Sequence, residues 1–155
     1  MSSILVMVIT VLGDKPYSAN LFTAALVILL PSWDEELKIP KDKDYICFYA
    51  RDSAYLDAVK KNIDWSYHNY RDSSIQNYLL AAEEMVNRGY YAVRMGAIAK
   101  EPVKTFNPSI IDYASNGMRT DFNDVYIGSH CRFFLCSDGG ISSIPEMLRI
   151  PAVYV

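Results

Sequence analysis

Phe133-Phe134-Leu135-Cys136-Ser137-Asp138-Gly139-Gly140-Ile141-Ser142-Ser143-Ile144-Pro145-Glu146 runs from apolar to glycine-rich to amphipathic within fourteen residues. The apolar residues predict a strand over 132–136, the glycine pair a tight turn, and the following residues a helix from about 142 to 149. Pro145 fits the first turn of that helix, where a missing N–H costs little. A strand that empties through glycines into a helix start is a ready anion site. The backbone can approach a ligand closely, and the free N–H groups of the helix N-terminus carry partial positive charge. Ser137, Asp138, Gly139, Gly140, Ile141 and Ser142 are therefore candidate ligand contacts. A plain tight turn with Asp138 or Ser142 as helix cap accounts for the same residues equally well.

The same grammar recurs upstream. Tyr45-Ile46-Cys47-Phe48-Tyr49-Ala50 is a continuous apolar run, the mark of a strand buried on both faces. It ends at Arg51-Asp52-Ser53, and a helix is expected over 53–59. Asp72 or Ser73 can cap a clearer helix reaching about Arg88, with Ile75, Leu79, Ala82 and Val86 on one face and Gly89 as its stop. Strands are expected at 90–94, closing at Gly96, at 109–113 and at 151–155, with a weaker helix at 120–130. Strands alternating with helices through short links predict an α/β fold, a Rossmann-like, doubly wound parallel sheet. In such sheets ligands bind at the carboxyl ends of the strands.

Residues 1–44 have a different character. Apolar runs at 4–12 and 21–30 are separated by Gly13-Asp14-Lys15-Pro16, and the charged segment 32–44 reads as a linker. The expected organisation is thus 1–44 as N-terminal segments and linker, and 45–155 as the Rossmann-like domain. The run at 4–12 lacks a basic flank and a cleavage site, so it makes a poor signal peptide. The run at 21–30 falls short of the roughly 18 residues a membrane span needs. The expectation is a cytoplasmic protein with peripheral membrane contact through 21–30. Val155 closes a strand-like run, which suggests a chain truncated at its C-terminus.

The bulk numbers narrow the function. With 51% hydrophobic and 21% charged residues the chain can build a core. A net charge of -3 argues against a protein that lives on nucleic-acid backbones. Three cysteines, Cys47, Cys131 and Cys136, have no metal-ligand spacing and read as buried free thiols. His130 has no partners that would make zinc, and no Asp-x-Asp element suits a divalent ion, so neither a metal nor a cofactor is expected. No Gly-x-Gly-x-x-Gly follows the first regular strand, which disfavours a dinucleotide cofactor.

Arg51 and Arg94 each end an expected strand, and guanidinium forks suit phosphate oxygens. The alternative for either is a surface ion pair, with Asp52 or Glu84 for instance. Arg71 reads from its position as a helix-start or surface residue. Asp112-Tyr113 could border a nucleotide base or be a satisfied loop pair. His68, in Ser66-Tyr67-His68-Asn69-Tyr70, suits a base or an acceptor-positioning group near neutral pH, or simple exposure.

Residues 137–155 resemble the C-terminal nucleotide-sugar motif of GT-B proteins. Over 45–155 the chain is similar to a family of bacterial glycosyltransferases of GT-B type. The likeness rests on Arg51-Asp52-Ser53, Tyr70-Arg71-Asp72 and Val93-Arg94-Met95-Gly96. It implies a donor-binding half that takes a nucleotide-diphosphate sugar, contacts it through these strand ends, and passes the sugar to a glycan or other acceptor. Glu146 would hold ribose or sugar hydroxyls, and Asp138 a donor-sugar hydroxyl. The chemistry would be metal-independent, with Arg51, Arg94 and the backbone amides of 139–143 on the departing diphosphate. Family members are longer, so a missing partner domain or a second copy would complete the enzyme. Asp138-Gly139-Gly140 with Glu146 also resembles the turn of UDP-N-acetylglucosamine 2-epimerases. A non-catalytic partner-binding domain is the third expectation.

Overall fold

The computed structural model describes residues 37–155, which lie within one compact unit, Trp33–Val155. The apolar runs at 4–12 and 21–30 fall outside the described residues. Five strands form one all-parallel sheet: β1 (Tyr45–Tyr49), β2 (Tyr91–Arg94), β3 (Ile110–Asp112), β4 (Phe134–Cys136) and β5 (Ala152–Tyr154). Their spatial order is β3-β2-β1-β4-β5. Order therefore reverses between β1 and β4, where Cys47 faces Phe134 and Tyr49 faces Cys136. This is the α/β, Rossmann-like sheet expected from the sequence.

β1 is apolar at every position because both of its faces are covered. Tyr45 and Cys47 join Val93, Tyr113, Ile127 and Phe134 on one side of the sheet, and Ile46 and Phe48 join Ile75, Tyr78, Ala82 and Leu135 on the other. Each buried Val, Ile, Leu or Phe among them contributes about 1.5–3 kcal/mol of burial free energy. The helices divide accordingly. α1 (Ala54–Val59), α2 (Leu79–Asn87), α3 (Asp121–His130) and α4 (Ser143–Leu148) follow one another along the chain. α2 supplies Ala82 to the second cluster and α3 supplies Ile127 to the first, so the sheet is wound on both sides. α3 starts at Thr120, whose hydroxyl accepts from Asn123 N at 3.0 Å. α2 ends before Gly89, whose φ of +92° is a left-handed turn that glycine adopts without a steric cost.

Two local features depart from expectation, and one connection between them is plain. The helix over 72–88 is split. A 3-10 turn, Ile75–Tyr78, precedes α2, and its cap is Ser74 rather than Asp72 or Ser73. Asp72 is instead engaged by Arg51, which removes it from capping. The β2–β3 connection, residues 95–109, carries no helix, in keeping with Pro102 and Pro108. Finally, Leu37 and Ile39, in the segment expected to be a linker, are 5% and 4% exposed and pack on the first cluster. The core thus begins ahead of Tyr45. All three cysteines are free and buried, and among the described residues no helix is long and apolar enough to cross a membrane.

Candidate functional site

A parallel sheet lines up the carboxyl ends of its strands, so the loops after β1, β2 and β4 converge on one edge. They enclose a cavity of about 650 Å³, in the range that holds a nucleotide-sized ligand. Its position is the crevice between β1 and β4, the topological switch point of the sheet. The two loops are tied across it, since Arg51 N donates to Ser137 Oγ at 2.7 Å. Asp52 anchors the rim further, accepting from Ala54 N and from Lys100 N, each at 2.9 Å.

Arg51 and Arg94 both reach this edge, and both are buried, at 6% and 2% exposure. Neither forms the surface pair offered as an alternative. Arg94 donates to Asp112 Oδ1 at 3.2 Å and to the Glu101 carbonyl at 2.9 Å, while Glu84 bonds Arg88. Arg94 and Asp112 are register partners on adjacent strands, and Asp112 also accepts from Val103 N. Asp112 therefore holds the β2–β3 loop. Arg51 pairs with Asp72, not Asp52, and donates to the His68 carbonyl at 3.0 Å. Its Nη2 is buried without a partner, as is Arg94 Nε.

His68 and Arg71 come from the 3-10 segment Ser66–Arg71, which lies against the cavity. Arg71 Nη2 is 2.8 Å from His68 Nδ1, and Arg71 Nη1 donates to Asp138 Oδ2 at 3.1 Å. Arginine is a donor only, so His68 Nδ1 is the acceptor and the ring proton sits on Nε2. Burial, then the charges of Arg71 and Arg51, hold the His68 pKa below its ordinary value. Trp65 stacks on His68 at 5.7 Å between centroids and lines the cavity, as does Tyr55. These aromatics give the pocket an apolar wall.

The glycine turn is placed as the sequence implies and used differently. Gly139 has an extended backbone, φ -174°, which any residue adopts. What demands glycine is space: a Cβ there would lie 2.9 Å from the Tyr49 ring. The close approach is therefore to the protein's own aromatic ring. Burial, then the Asp52 carboxylate, push the Tyr49 hydroxyl up to about 12. Nothing lies within 4 Å of a Cβ built on Gly140, so that position is open. Ser142 Oγ donates to the Gly139 carbonyl at 2.7 Å and Ser143 Oγ to that of Gly140 at 2.7 Å, so both hydroxyls bind the turn itself.

Arg51, His68, Arg71, Arg94, Gly96, Asp138, Gly139, Gly140 and Ile141 all line the cavity. Gly96 has φ +149°, a conformation that favours glycine. Ser137 and Ser142 are buried just behind the lining. Two expected residues stand apart. Tyr70 is 83% exposed, with its ring 5.8 Å from the Arg71 guanidinium carbon. Glu146 is exposed and accepts from the Tyr154 hydroxyl, outside the lining.

The opposite wall went unread in the sequence. Arg119, Asp121 and Asp124 line the cavity at the start of α3. Arg119 Nη2 donates to Asp121 at 2.7 Å and to Asp124 at 2.9 Å, and the Tyr113 hydroxyl donates to Asp124 at 3.1 Å. Burial raises the Asp124 pKa against the pull of Arg119 and Tyr113. The available signal was Thr120: a helix that follows a parallel strand begins at the carboxyl edge, so the residues around its cap face the site. Lining charges balance at four arginines and four aspartates. Among the described residues no group of His, Cys, Asp and Glu is arranged to hold a metal ion. No family model, curated protein or solved structure matches this chain.

Proposed function

We propose that this domain is the donor-binding half of a glycosyltransferase, holding a nucleotide-diphosphate sugar in the crevice between β1 and β4. The observation that carries the reading is the cavity at the switch point, where spare guanidinium donors meet an aromatic wall. Arg51 and Arg71 take the diphosphate, with the open backbone at Gly140 and Ile141 on its other side. Arg94, already committed to Asp112 and the Glu101 carbonyl, shapes the floor. The Trp65 and Tyr55 side chains suit the flat face of a base or sugar ring. Asp121 and Asp124 suit hydroxyls.

Transfer in this reading draws on electrostatics. The guanidinium groups stabilise charge that grows on the diphosphate as the sugar departs. His68, neutral and with its proton on Nε2, is placed to donate to a phosphate or acceptor oxygen. A second domain or copy supplies the acceptor side.

Thermal unfolding in the presence of UDP, GDP, CDP, ADP, NAD and FMN tests the reading. One nucleoside diphosphate should raise the midpoint, by several degrees at a hundredfold excess over its Kd. Silence across the panel would remove the proposal.

A further inference from the structure

The Arg71–Asp138 pair joins two segments 67 residues apart across the mouth of the cavity. The partners are unequal. The Asp138 side chain is 72% exposed, whereas that of Arg71 is 28% exposed and has its Nη2 on His68. Arg71 Nε is buried without a partner, and so is Nη2 of the neighbouring Arg51. Both guanidinium groups grip His68, one on its ring and one on its carbonyl. Two cations with unmet N–H donors therefore meet at one histidine, and an acceptor with more oxygens than a carboxylate would satisfy more of them. Asp138 is the most weakly held anion on the pair, because it is the most exposed to water. Asp72, by contrast, is 23% exposed and backs Arg51 from within.

From this geometry we infer that Asp138 is a built-in stand-in for the ligand's phosphate, occupying Arg71 until a phosphate oxygen displaces it. The carboxylate then competes with the ligand. This differs in sign from a role in holding a sugar hydroxyl, where removing it would weaken binding. The inference rests on the anion-binding reading above and specifies its anchor, Arg71, and its competitor.

Inorganic pyrophosphate is the direct probe, measured by calorimetry on the full chain beside UDP, GDP, CDP and ADP. Asp138→Asn should bind pyrophosphate about two- to fivefold more tightly, the size of a weak exposed ion pair, and the gain should shrink as salt rises. Asp42→Asn, an equal charge change on an exposed loop away from the cavity, should leave the affinity unchanged. Arg71→Gln should lose about tenfold or more and cancel the benefit of Asp138→Asn in the double variant. Circular dichroism confirms that each variant is folded.

Equal or weaker pyrophosphate binding by Asp138→Asn, or the same gain in Asp42→Asn, overturns the inference. If pyrophosphate follows the expected pattern while no nucleoside diphosphate binds better than it, the inference stands and the nucleotide reading falls. If a nucleoside diphosphate binds and Asp138→Asn weakens it, the nucleotide reading stands and the inference falls. No anion bound by any form removes both.

Discussion

Two arginines sit at the ends of neighbouring strands, and each has found an aspartate, yet they lead different lives. Arg94 meets Asp112 directly across the sheet, because the register of β2 and β3 makes them opposite neighbours. The Glu101 carbonyl and Val103 N tie the β2–β3 loop to the same corner. Arg51 lies two residues beyond its strand, leans on Asp72 and the His68 carbonyl, and shares His68 with a second guanidinium, Arg71. Each keeps one buried donor without a partner, Arg94 Nε and Arg51 Nη2, but one pair is fixed by sheet register while the other is assembled from loops beside a second guanidinium. Burial alone does not separate the two. What separates them is whether the partner belongs to the sheet.

That contrast can be broken by experiment. Arg94→Met leaves the Asp112 carboxylate without its main counter-charge and should cost about 3 kcal/mol in urea unfolding, with little change in nucleotide affinity of the folded protein. Arg51→Met should cost less stability, about 2 kcal/mol, but lower nucleoside diphosphate affinity about tenfold or more in calorimetry. If Arg94→Met abolishes binding while Arg51→Met spares it, the contrast is inverted. Gly139→Ala forces a methyl against the Tyr49 ring and should cost about 1 kcal/mol, measured the same way, with no backbone penalty to add.

The smallest effect concerns pH. His68 has a folded pKa held below its unfolded value of about 6.5. Below that value the unfolded chain binds the proton more readily, so His68 adds stability above it and withdraws that stability as pH falls through the folded pKa. Midpoints compared at pH 7.5 and 5.5 should therefore fall less in His68→Gln than in the native chain. An equal fall in both would show that burial and the charges of Arg71 and Arg51 do not depress the ring's pKa.

Much of the fold is legible in local sequence. The unbroken apolar run from Tyr45 announces a strand covered on both faces, Gly89 stops a helix, and Thr120 starts one. These signals are local because caps, turns and burial periodicity act over a few residues. The cap of the next turn was not legible: Asp72 and Ser73 were the candidates, Asp72 is taken by a distant arginine, and Ser74 caps instead. The site was half legible for the same reason. Arg51, Arg94 and the Gly139-Gly140 turn follow from strand ends. The Arg94–Asp112 pairing depends on strand register, the Arg119–Asp124 wall on where a crossover helix lands, and Gly139's need for space on a tyrosine ninety positions earlier. None of these leaves a mark in its own neighbourhood.

The bond from Arg51 N to Ser137 Oγ has one more implication. It rivets the lips of the crevice just beyond the point where β1 and β4 stop pairing, and so extends the sheet's own connection into the two loops. Selection among ligands then falls to shape and to the side chains on the walls, Arg71 and Asp138 among them.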